Sequence, residues 1–274
     1  MYHREIRPKK SLGQHFLKDL SVAEQIANVL SGNPETSSAI YQLPVLEIGA
    51  GTGVLTQFLL KNKQQLTVVE IDKESITYLN EHYPELQNRI IEADFLKLDL
   101  NGLFPGSFAV IGNYPYNIST QIFFKVLEYK DKIPLCAGML QKEVAERLAS
   151  RPGKKAYGII TVLLQTWYDI EYLFTVEPEV FDPPPKVKSA IIRMTRNKRT
   201  KLSCDETLFK TVVKTAFNQR RKTLRNSLKS LLGENNTIST LPVFDKRPEQ
   251  LSVEEFIDLT NTINLQSGRV EYRI

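Results

Sequence analysis

Cysteine, histidine and long apolar runs are scarce in this chain of 274 residues. Its two cysteines, Cys136 and Cys204, cannot supply the several crosslinks of a disulfide-stapled secreted scaffold. Its three scattered histidines do not form a His/Cys metal-binding pattern, so we expect no metal. No apolar run reaches the roughly 18 residues that a membrane helix needs, and the N-terminus lacks the apolar core of a secretory signal. We therefore expect a globular, cytoplasmic protein that does not contact membranes.

Charge is distributed unevenly along the chain, although the net charge of +5 is mild. Residues 1–18 carry a net charge of +4, residues 197–232 carry +8 and residues 233–274 carry −3, which leaves −4 for residues 19–196. Most charge runs are simply solvated surface. The sharper interpretation is that the two basic segments bind the phosphate backbone of a nucleic acid.

Seven short apolar runs alternate with helical stretches before residue 196, which predicts an α/β fold with a mostly parallel sheet. These runs are residues 44–48, 66–71, 89–93, 108–112, 135–140, 159–167 and 190–194. Ser21 and Glu24 have the spacing of a capping box before the first amphipathic helix.

The pattern changes after residue 196, where residues 197–203 are polar and basic and resemble a linker. Apolar residues at helical spacing then predict two amphipathic stripes, and Ser252 with Glu255 predicts a capping box at a later helix. We therefore expect one domain over residues 1–196, with a basic N-terminal arm, and a small all-helical domain over residues 197–274.

A glycine-rich turn follows the first predicted strand, with Gly49, Gly51 and Gly53 in the order G-x-G-x-G. A dinucleotide fingerprint would need glycine at position 54, where the chain has Val54, so a dehydrogenase is disfavoured. Glu70 ends the next strand, where a carboxylate can accept hydrogen bonds from the ribose hydroxyls of an adenosine. Asp94 ends the third predicted strand and can accept from an adenine amine. Taken singly each acid could be a surface residue, but their order favours a nucleoside site.

The loop Asn113-Tyr114-Pro115-Tyr116 follows the fourth predicted strand. The exocyclic amine of adenine is a poor nucleophile because its lone pair is delocalised into the ring. The Asn113 amide oxygen and the Tyr114 carbonyl can each accept a hydrogen bond from one of its two N–H groups. Pro115 fixes the turn that presents these two acceptors. Tyr116 offers a ring on which the base can stack. The loop therefore predicts methyl transfer to an amine, although not the polymer that carries it.

Further motifs extend this pattern, and together they resemble the small-subunit ribosomal RNA adenine dimethyltransferases of bacteria over roughly residues 7–260. They lie at residues 9–17, 49–53, 113–119, 140–148, 155–158, 181–189 and 216–228, with Glu70 and Asp94 between them. The resemblance implies a Rossmann-like class I methyltransferase domain with a small helical C-terminal domain. It also implies methyl transfer from S-adenosylmethionine to N6 of two adjacent adenosines near the 3′ end of small-subunit rRNA, in a late pre-30S particle. We expect a monomer that requires no metal and releases S-adenosylhomocysteine.

Site roles also follow from this resemblance. The residues implied to bind the cofactor are His15, Leu17, Gly49, Gly51, Glu70, Asp94 and Asn113. Asn113 and Tyr116 would hold the target base, and Phe181 would stack on its other side, although without the resemblance Phe181 is better interpreted as a core residue. We expect a basic helix around residues 220–229 to bind rRNA through Arg220, Arg221, Lys222 and Arg225, and an N-terminal arm with Arg4, Arg7, Lys9 and Lys10 to become ordered on RNA.

Two alternative functions remain open at this point. One is the related large-subunit rRNA methyltransferase that confers macrolide resistance, which the motifs at 181–189 and 217–228 disfavour. The other is a non-catalytic RNA-binding assembly factor, which the intact Asn113, Tyr116, Glu70 and Asp94 disfavour.

Overall fold

The computed structural model describes residues 6, 8–9, 12–30, 39–62, 65–233 and 237–266. Its strands are β1 (Phe16–Leu17), β2 (Val45–Ile48), β3 (Leu66–Glu70), β4 (Ile90–Glu92), β5 (Ala109–Asn113), β6 (Leu135–Gln141), β7 (Tyr168–Val176), β8 (Phe181–Asp182) and β9 (Ser189–Arg196). Its helices are α1 (Leu20–Asn28), α2 (Thr56–Lys61), α3 (Lys73–His82), α4 (Ser119–Glu128), α5 (Lys142–Leu148), α6 (Ile159–Gln165), α7 (Glu206–Asn218), α8 (Leu224–Ser227), α9 (Lys229–Leu232) and α10 (Val253–Gln266). None of these described helices is long and apolar enough to cross a membrane.

The chain forms two compact units. The first contains residues 1–145 and 169–196, and the second contains residues 146–168 and 197–274. The chain therefore crosses between the units three times, after residues 145, 168 and 196, and only the last of these boundaries was expected. Residues 146–168 belong with the C-terminal helices. The apolar helix α6 explains this assignment, because it packs against α7.

A seven-stranded sheet with the order β4-β3-β2-β5-β6-β9-β7 forms the first unit, together with a short antiparallel pair of β1 and β8. The neighbours from β4 to β6 are parallel, and β9 runs antiparallel to β6. All four residues of β2 are buried, as expected for a central strand that helices cover on both faces. The predicted α/β class with seven sheet strands is confirmed.

One of the seven predicted strands is wrong. Residues 159–165 form helix α6, and the remaining sheet strand is β7, at residues 168–176. A short apolar run fits a buried helix as well as a buried strand, so its periodicity cannot distinguish them. Strand β7 has the sequence YDIEYLFTV and lies at the sheet edge, where polar residues face solvent and no continuous apolar run appears.

Helix ends depend on local hydrogen bonds, and the two predicted capping boxes differ in outcome. At α1 the N-cap is Asp19, whose carboxylate accepts from the amide nitrogens of Ser21 at 2.8 Å and Val22 at 3.3 Å, so the box at Ser21 is wrong. At α10 the box is confirmed. The Ser252 amide donates to Glu255 at 2.8 Å, and the Glu255 amide donates to the Ser252 hydroxyl at 3.2 Å.

The expected continuous basic helix is also wrong. Helix α7 ends at Asn218, and a turn over residues 219–223 separates it from the one-turn helices α8 and α9. Most residues of the predicted apolar stripes nevertheless lie in the core of the second unit, at Phe209, Val212, Val213, Ala216 and Phe217 and at Leu224, Leu228 and Leu232. Leu231 of the second predicted stripe is half-buried.

Replacement of Ser252 by alanine tests the energetic contribution of the confirmed capping box. We expect Ser252→Ala to lower the free energy of unfolding by about 1 kcal/mol, because the Glu255 amide loses its acceptor at the start of α10. Urea denaturation followed by circular dichroism measures this change. Ser230→Ala, at an exposed position of α9, is the matched control. Equal stabilities of the two variants would contradict the assignment.

Candidate functional site

A cleft opens at the carboxyl ends of β2, β3 and β5, and β4 leads into it through Ala93 and Asp94. This edge of a parallel sheet is where open α/β folds bind ligands. Every residue that the sequence assigned to the cofactor lines the cleft, namely His15, Leu17, Gly49, Gly51, Glu70, Asp94 and Asn113. The fold therefore brings together residues that are almost 100 positions apart in the sequence.

The glycine loop lies between β2 and α2, and its backbone requires glycine. Gly49, Gly51 and Gly53 have φ angles of 70°, 55° and 79°, which side chains rarely allow. A Cβ atom at Gly53 would lie 2.4 Å from the ring of Tyr83, whose hydroxyl donates to the Gly53 carbonyl at 3.0 Å. A Cβ at Gly49 would meet no atom within 4 Å, so the loop presents bare backbone beside open space.

Glu70 is buried, and three backbone amides hold its carboxylate. Gly51 donates to Oε2 at 2.9 Å, while Ile71 and Asp72 donate to Oε1 at 2.8 and 2.9 Å. A carboxylate has about four lone-pair sites, so these bonds leave about one on Oε2. Oε2 of Glu70 therefore keeps an acceptor site, and the role of Glu70 in binding the ribose hydroxyls stays a prediction.

Asp94 begins a 3-10 turn over Phe95–Lys97, because its carboxylate accepts from the Leu96 amide at 3.0 Å. The other end of this turn is held by Lys125 of α4, whose ammonium donates to the Leu96 carbonyl at 3.0 Å and lies 5.5 Å from the centre of the Phe95 ring. Burial lowers the pKa of Lys125. The helix after the Asn-Tyr-Pro-Tyr loop therefore also fixes the position of Asp94.

The Asn113 side chain is oriented by one hydrogen bond. Its amide nitrogen donates to the His15 carbonyl at 3.2 Å, so Oδ1 is the end that remains to accept. Within the described part of the chain, no group donates to the Tyr114 carbonyl. The loop thus holds two acceptors on adjacent residues at the edge of the cleft.

The Tyr114 ring fills a slot between two strands where neither strand has a side chain. Gly112 and Gly138 are register partners in β5 and β6. A Cβ at Gly138 would lie 2.7 Å from the ring, and one at Gly112 would lie 2.9 Å from it. The phenol is fully buried and donates to the Ala137 carbonyl at 2.6 Å. The buried ring of Tyr114 therefore anchors the loop to strands β5 and β6, while the residue's backbone lines the cleft.

Tyr116 is held at its ring face and at its hydroxyl. The ring stacks on His15 with centroids 5.3 Å apart, and the hydroxyl lies 2.5 Å from the hydroxyl of the buried Ser189. His15 in turn donates from Nδ1 to the Pro183 carbonyl at 2.8 Å. Burial raises the pKa of Tyr116, so the phenol stays neutral.

Phe181 does not line the cleft. Its side chain is fully buried in the core with Leu17 and Val176, because β8 pairs with β1 at this point. In this conformation it has no exposed surface to offer a base, which corrects the expected stacking role and agrees with the core interpretation.

The basic residues assigned to RNA differ in their surroundings. In the second unit, Arg220 donates to the Lys154 carbonyl at 3.3 Å, and the exposed Arg225 forms an ion pair with Asp245 at 2.6 Å. Arg221 and Lys222 are also exposed, and neither has an ion-pair partner among the described residues.

In the N-terminal arm, Lys9 binds Asp72 and lies 3.4 Å from Glu74, so it is already paired in the first unit. Arg4, Arg7 and Lys10 lie outside the described residues.

Glu47 is a cleft residue whose role the sequence reasoning missed. It is buried on β2, and the Thr56 hydroxyl donates to its Oε2 at 2.7 Å. Burial raises its pKa to about 8, and the nearby Glu70 adds to this effect, so Glu47 is largely protonated at neutral pH. An acidic residue within a run of buried apolar strand residues was the signal that could have identified it.

The residues present fit S-adenosylmethionine. The bare backbone at Gly49 permits close approach, Glu70 retains an acceptor site, and the nearby carboxylates favour a cationic sulfonium. The described residues contain no cluster of histidine, cysteine, aspartate and glutamate that could hold a metal ion.

Comparison with known proteins gives a consistent result. A family model described as "Ribosomal RNA adenine dimethylase" matches residues 6–265. The ribosomal RNA small subunit methyltransferase A of Parabacteroides distasonis is 67% identical over 94% of both chains, and that of Cytophaga hutchinsonii is 57% identical over 95% of this chain and 98% of its own.

Solved structures agree with the fold. A dimethyladenosine transferase from Plasmodium falciparum has a TM-score of 0.77 at 24% identity, covering 92% of this chain and 98% of its own. The 23S rRNA methyltransferase ErmE has a TM-score of 0.63 at 26% identity, covering 90% and 99%. The first comparison concerns the fold alone, because its sequence identity is low.

Glu47 should make the stability of the protein depend on pH. Its native pKa of about 8 lies above the value of 4.5 for an unperturbed glutamate, so the native state keeps a proton that the unfolded chain releases. This contribution is complete below about pH 4.5 and declines by about 1.4 kcal/mol per pH unit as pH rises toward 8. In Glu47→Gln this decline should be absent.

Urea unfolding of wild type and Glu47→Gln at a series of pH values between about 5 and 8 measures the effect. Glu81→Gln, at an exposed position on α3, is the matched control. Parallel curves for wild type and Glu47→Gln would show that Glu47 is ionised in the native protein.

Proposed function

Because the chain belongs to the ribosomal RNA adenine dimethylase family and is an S-adenosylmethionine-dependent rRNA adenine methyltransferase, we propose that Asn113 and the Tyr114 carbonyl hold the target amine for methyl transfer. The observation that carries this proposal is the hydrogen bond from the Asn113 amide nitrogen to the His15 carbonyl. It leaves the Asn113 oxygen as an acceptor next to the Tyr114 carbonyl.

Two acceptors on one amine change its reactivity. When Asn113 Oδ1 and the Tyr114 carbonyl each accept a hydrogen bond from one N–H group of the amine, the nitrogen moves toward tetrahedral geometry. Its lone pair is then no longer delocalised into the adenine ring. S-adenosylmethionine supplies a methyl group already activated by a sulfonium. The residues of this chain therefore have to orient and stabilise rather than form a covalent intermediate.

Tyr116 would hold the base in place. One face of its ring is covered by His15 and its hydroxyl is fixed by Ser189. Because Tyr116 lines the cleft, the opposite face is the one on which an adenine turned out of the RNA would stack. Stacking of a base on an aromatic ring contributes about 1–3 kcal/mol per base. Phe181 takes no part in this arrangement, since it is buried.

The cofactor contacts follow from the cleft. Glu70 would accept one ribose hydroxyl with its remaining lone pair, and Asp94 would accept from the adenine amine of the donor. The glycine loop and the segment containing His15 and Leu17 would surround the remainder of the donor.

The substrate we propose is small-subunit rRNA, with two adjacent adenosines near its 3′ end methylated in a 30S particle by a monomeric cytoplasmic enzyme. Two relatives that bear the small-subunit name are 67% and 57% identical to this chain, whereas the 23S rRNA methyltransferase ErmE is 26% identical. Labelled S-adenosylmethionine, incubated with unmethylated 30S, 50S and free rRNA and followed by nucleoside mass analysis, tests this proposal. Label in 50S rather than 30S particles would favour the large-subunit alternative.

Asn113→Ala tests the proposed role of the loop. We expect it to lower the rate of methyl transfer by about a hundredfold or more, because the amine loses the acceptor that frees its lone pair. The affinity for S-adenosylmethionine, measured by calorimetry, should change far less. Asn80→Ala, at an exposed position on α3, is the control and should transfer methyl groups like wild type. Full activity of Asn113→Ala would refute the mechanism.

A further inference from the structure

A loop that the sequence analysis did not assign to RNA carries three exposed cations. In the second unit, residues 151–155 have the sequence RPGKK and connect α5 to α6. Arg151, Lys154 and Lys155 are all exposed, and no described acidic side chain forms an ion pair with any of them. Three unpaired charges of one sign within five residues repel each other, which calls for an explanation other than stability.

The fold brings this loop to the turn over residues 219–223. Arg220 donates from Nη2 to the Lys154 carbonyl at 3.3 Å, and its Nε lies 3.8 Å from Oε2 of Glu249. The amide of Gly153 donates to the Glu249 carbonyl at 2.6 Å. Arg220 and Glu249 thus connect the two segments, although Lys154 and Arg220 are 66 residues apart in sequence.

Some basic residues near the 219–223 turn are already paired within the protein, and others have no ion-pair partner among the described residues. Arg220 is engaged with the Lys154 backbone and Glu249, and Arg225 is paired with Asp245. Arg221 and Lys222, in contrast, are exposed and have no ion-pair partner among the described residues. Five cations are therefore available for an external anion.

Resting on the proposed function, we propose that these five residues, Arg151, Lys154, Lys155, Arg221 and Lys222, form one basic loop surface that binds the phosphate backbone of rRNA. Arg220 is a positioning residue, which holds the 151–155 loop beside the 219–223 turn. This proposal adds three residues to the RNA contact and removes Arg220 and Arg225 from direct phosphate binding.

The composition of the surface favours nucleic acid over an acidic protein. Protein interfaces usually contain an apolar or aromatic centre. Among the described residues of the second unit, the exposed large apolar side chains are Leu241 and Leu265, and neither lies in these two segments. Flexible lysines and arginines around glycine and proline instead suit a phosphate backbone, which requires charge without a shaped pocket.

The triple variant Arg151→Gln, Lys154→Gln, Lys155→Gln tests the new contact. Binding to unmethylated 30S particles is measured over a range of salt concentrations, and so is binding to protein-free small-subunit rRNA. The slope of log K against log salt is negative, and each lost phosphate contact reduces its magnitude by about 0.7–0.9, so we expect the magnitude to fall by about two units. Urea unfolding followed by circular dichroism shows whether the variant has folded, because the cofactor cleft lies in the other unit.

The matched control is Lys198→Gln, Lys201→Gln, Lys214→Gln, which removes the same charge from exposed positions of the same unit. We expect a clearly smaller change of slope in this control. Equal changes in both triples would mean that only net charge matters, and would overturn the proposal. Weaker binding to 30S with unchanged binding to protein-free rRNA would also overturn it, because the partner would then be a ribosomal protein.

Arg220→Lys tests the positioning role, because it keeps the charge but shortens the reach to the Lys154 carbonyl. We expect Arg220→Lys to bind 30S particles more weakly than wild type. When Arg220→Lys is added to the triple variant of Arg151, Lys154 and Lys155, the salt dependence of binding should not fall further. Wild-type binding by Arg220→Lys would show that Arg220 acts only as a charge. If wild type methylates no ribosomal particle at all, the proposed function fails, whereas the slope comparison still decides the surface on rRNA.

Discussion

The hydrogen bonds of the buried Glu70 carboxylate are the constraint on which the cleft depends. A buried charge must be satisfied, and here the donors are backbone amides, one from Gly51 in the glycine loop and two from Ile71 and Asp72. The loop after β2 is therefore fixed to the end of β3. Asp72 extends the same network, because it caps α3 and accepts from Lys9, which lies before the segment that covers the cleft. Two linked carboxylates, those of Glu70 and Asp72, thus connect the glycine loop, the first turn of α3 and the N-terminal segment.

A second constraint acts from inside the sheet. The register that places Gly112 opposite Gly138 opens a slot for one aromatic ring, and Tyr114 fills it with its phenol bonded to Ala137. The side chain of Tyr114 packs against the sheet, while its carbonyl is an acceptor at the cleft. This division explains how a bulky tyrosine fits at this position: the strand glycines, rather than the loop, accommodate its ring.

The sequence predicted most of the first unit because its signals are local. Buried parallel strands appear as apolar runs, and Gly49, Glu70, Asp94 and Asn113 each follow such a run. The errors arose where tertiary contacts decide. An apolar run at residues 159–165 is a helix because it packs on α7, and the edge strand β7 has too little apolar character to be recognised. Phe181 is buried because its strand pairs with β1, and Asn113 is oriented by the backbone of His15. Neither contact changes the spacing of residues along the sequence, so the sequence pattern could not predict them.

Charge was the least local of these signals, and its interpretation changed most. Net charge by segment correctly marked residues 197–232 as basic, but helical spacing could not tell which cations are available. In the structure, Arg225 is neutralised by Asp245, and Arg220 is committed to Glu249 and to the backbone of Lys154. Since a cation that the protein has already paired gains less from a phosphate than an unpaired cation does, hydrogen-bond partners matter as well as charge density in defining an RNA surface. The contact therefore extends to a loop, residues 151–155, that lies outside the basic segment altogether.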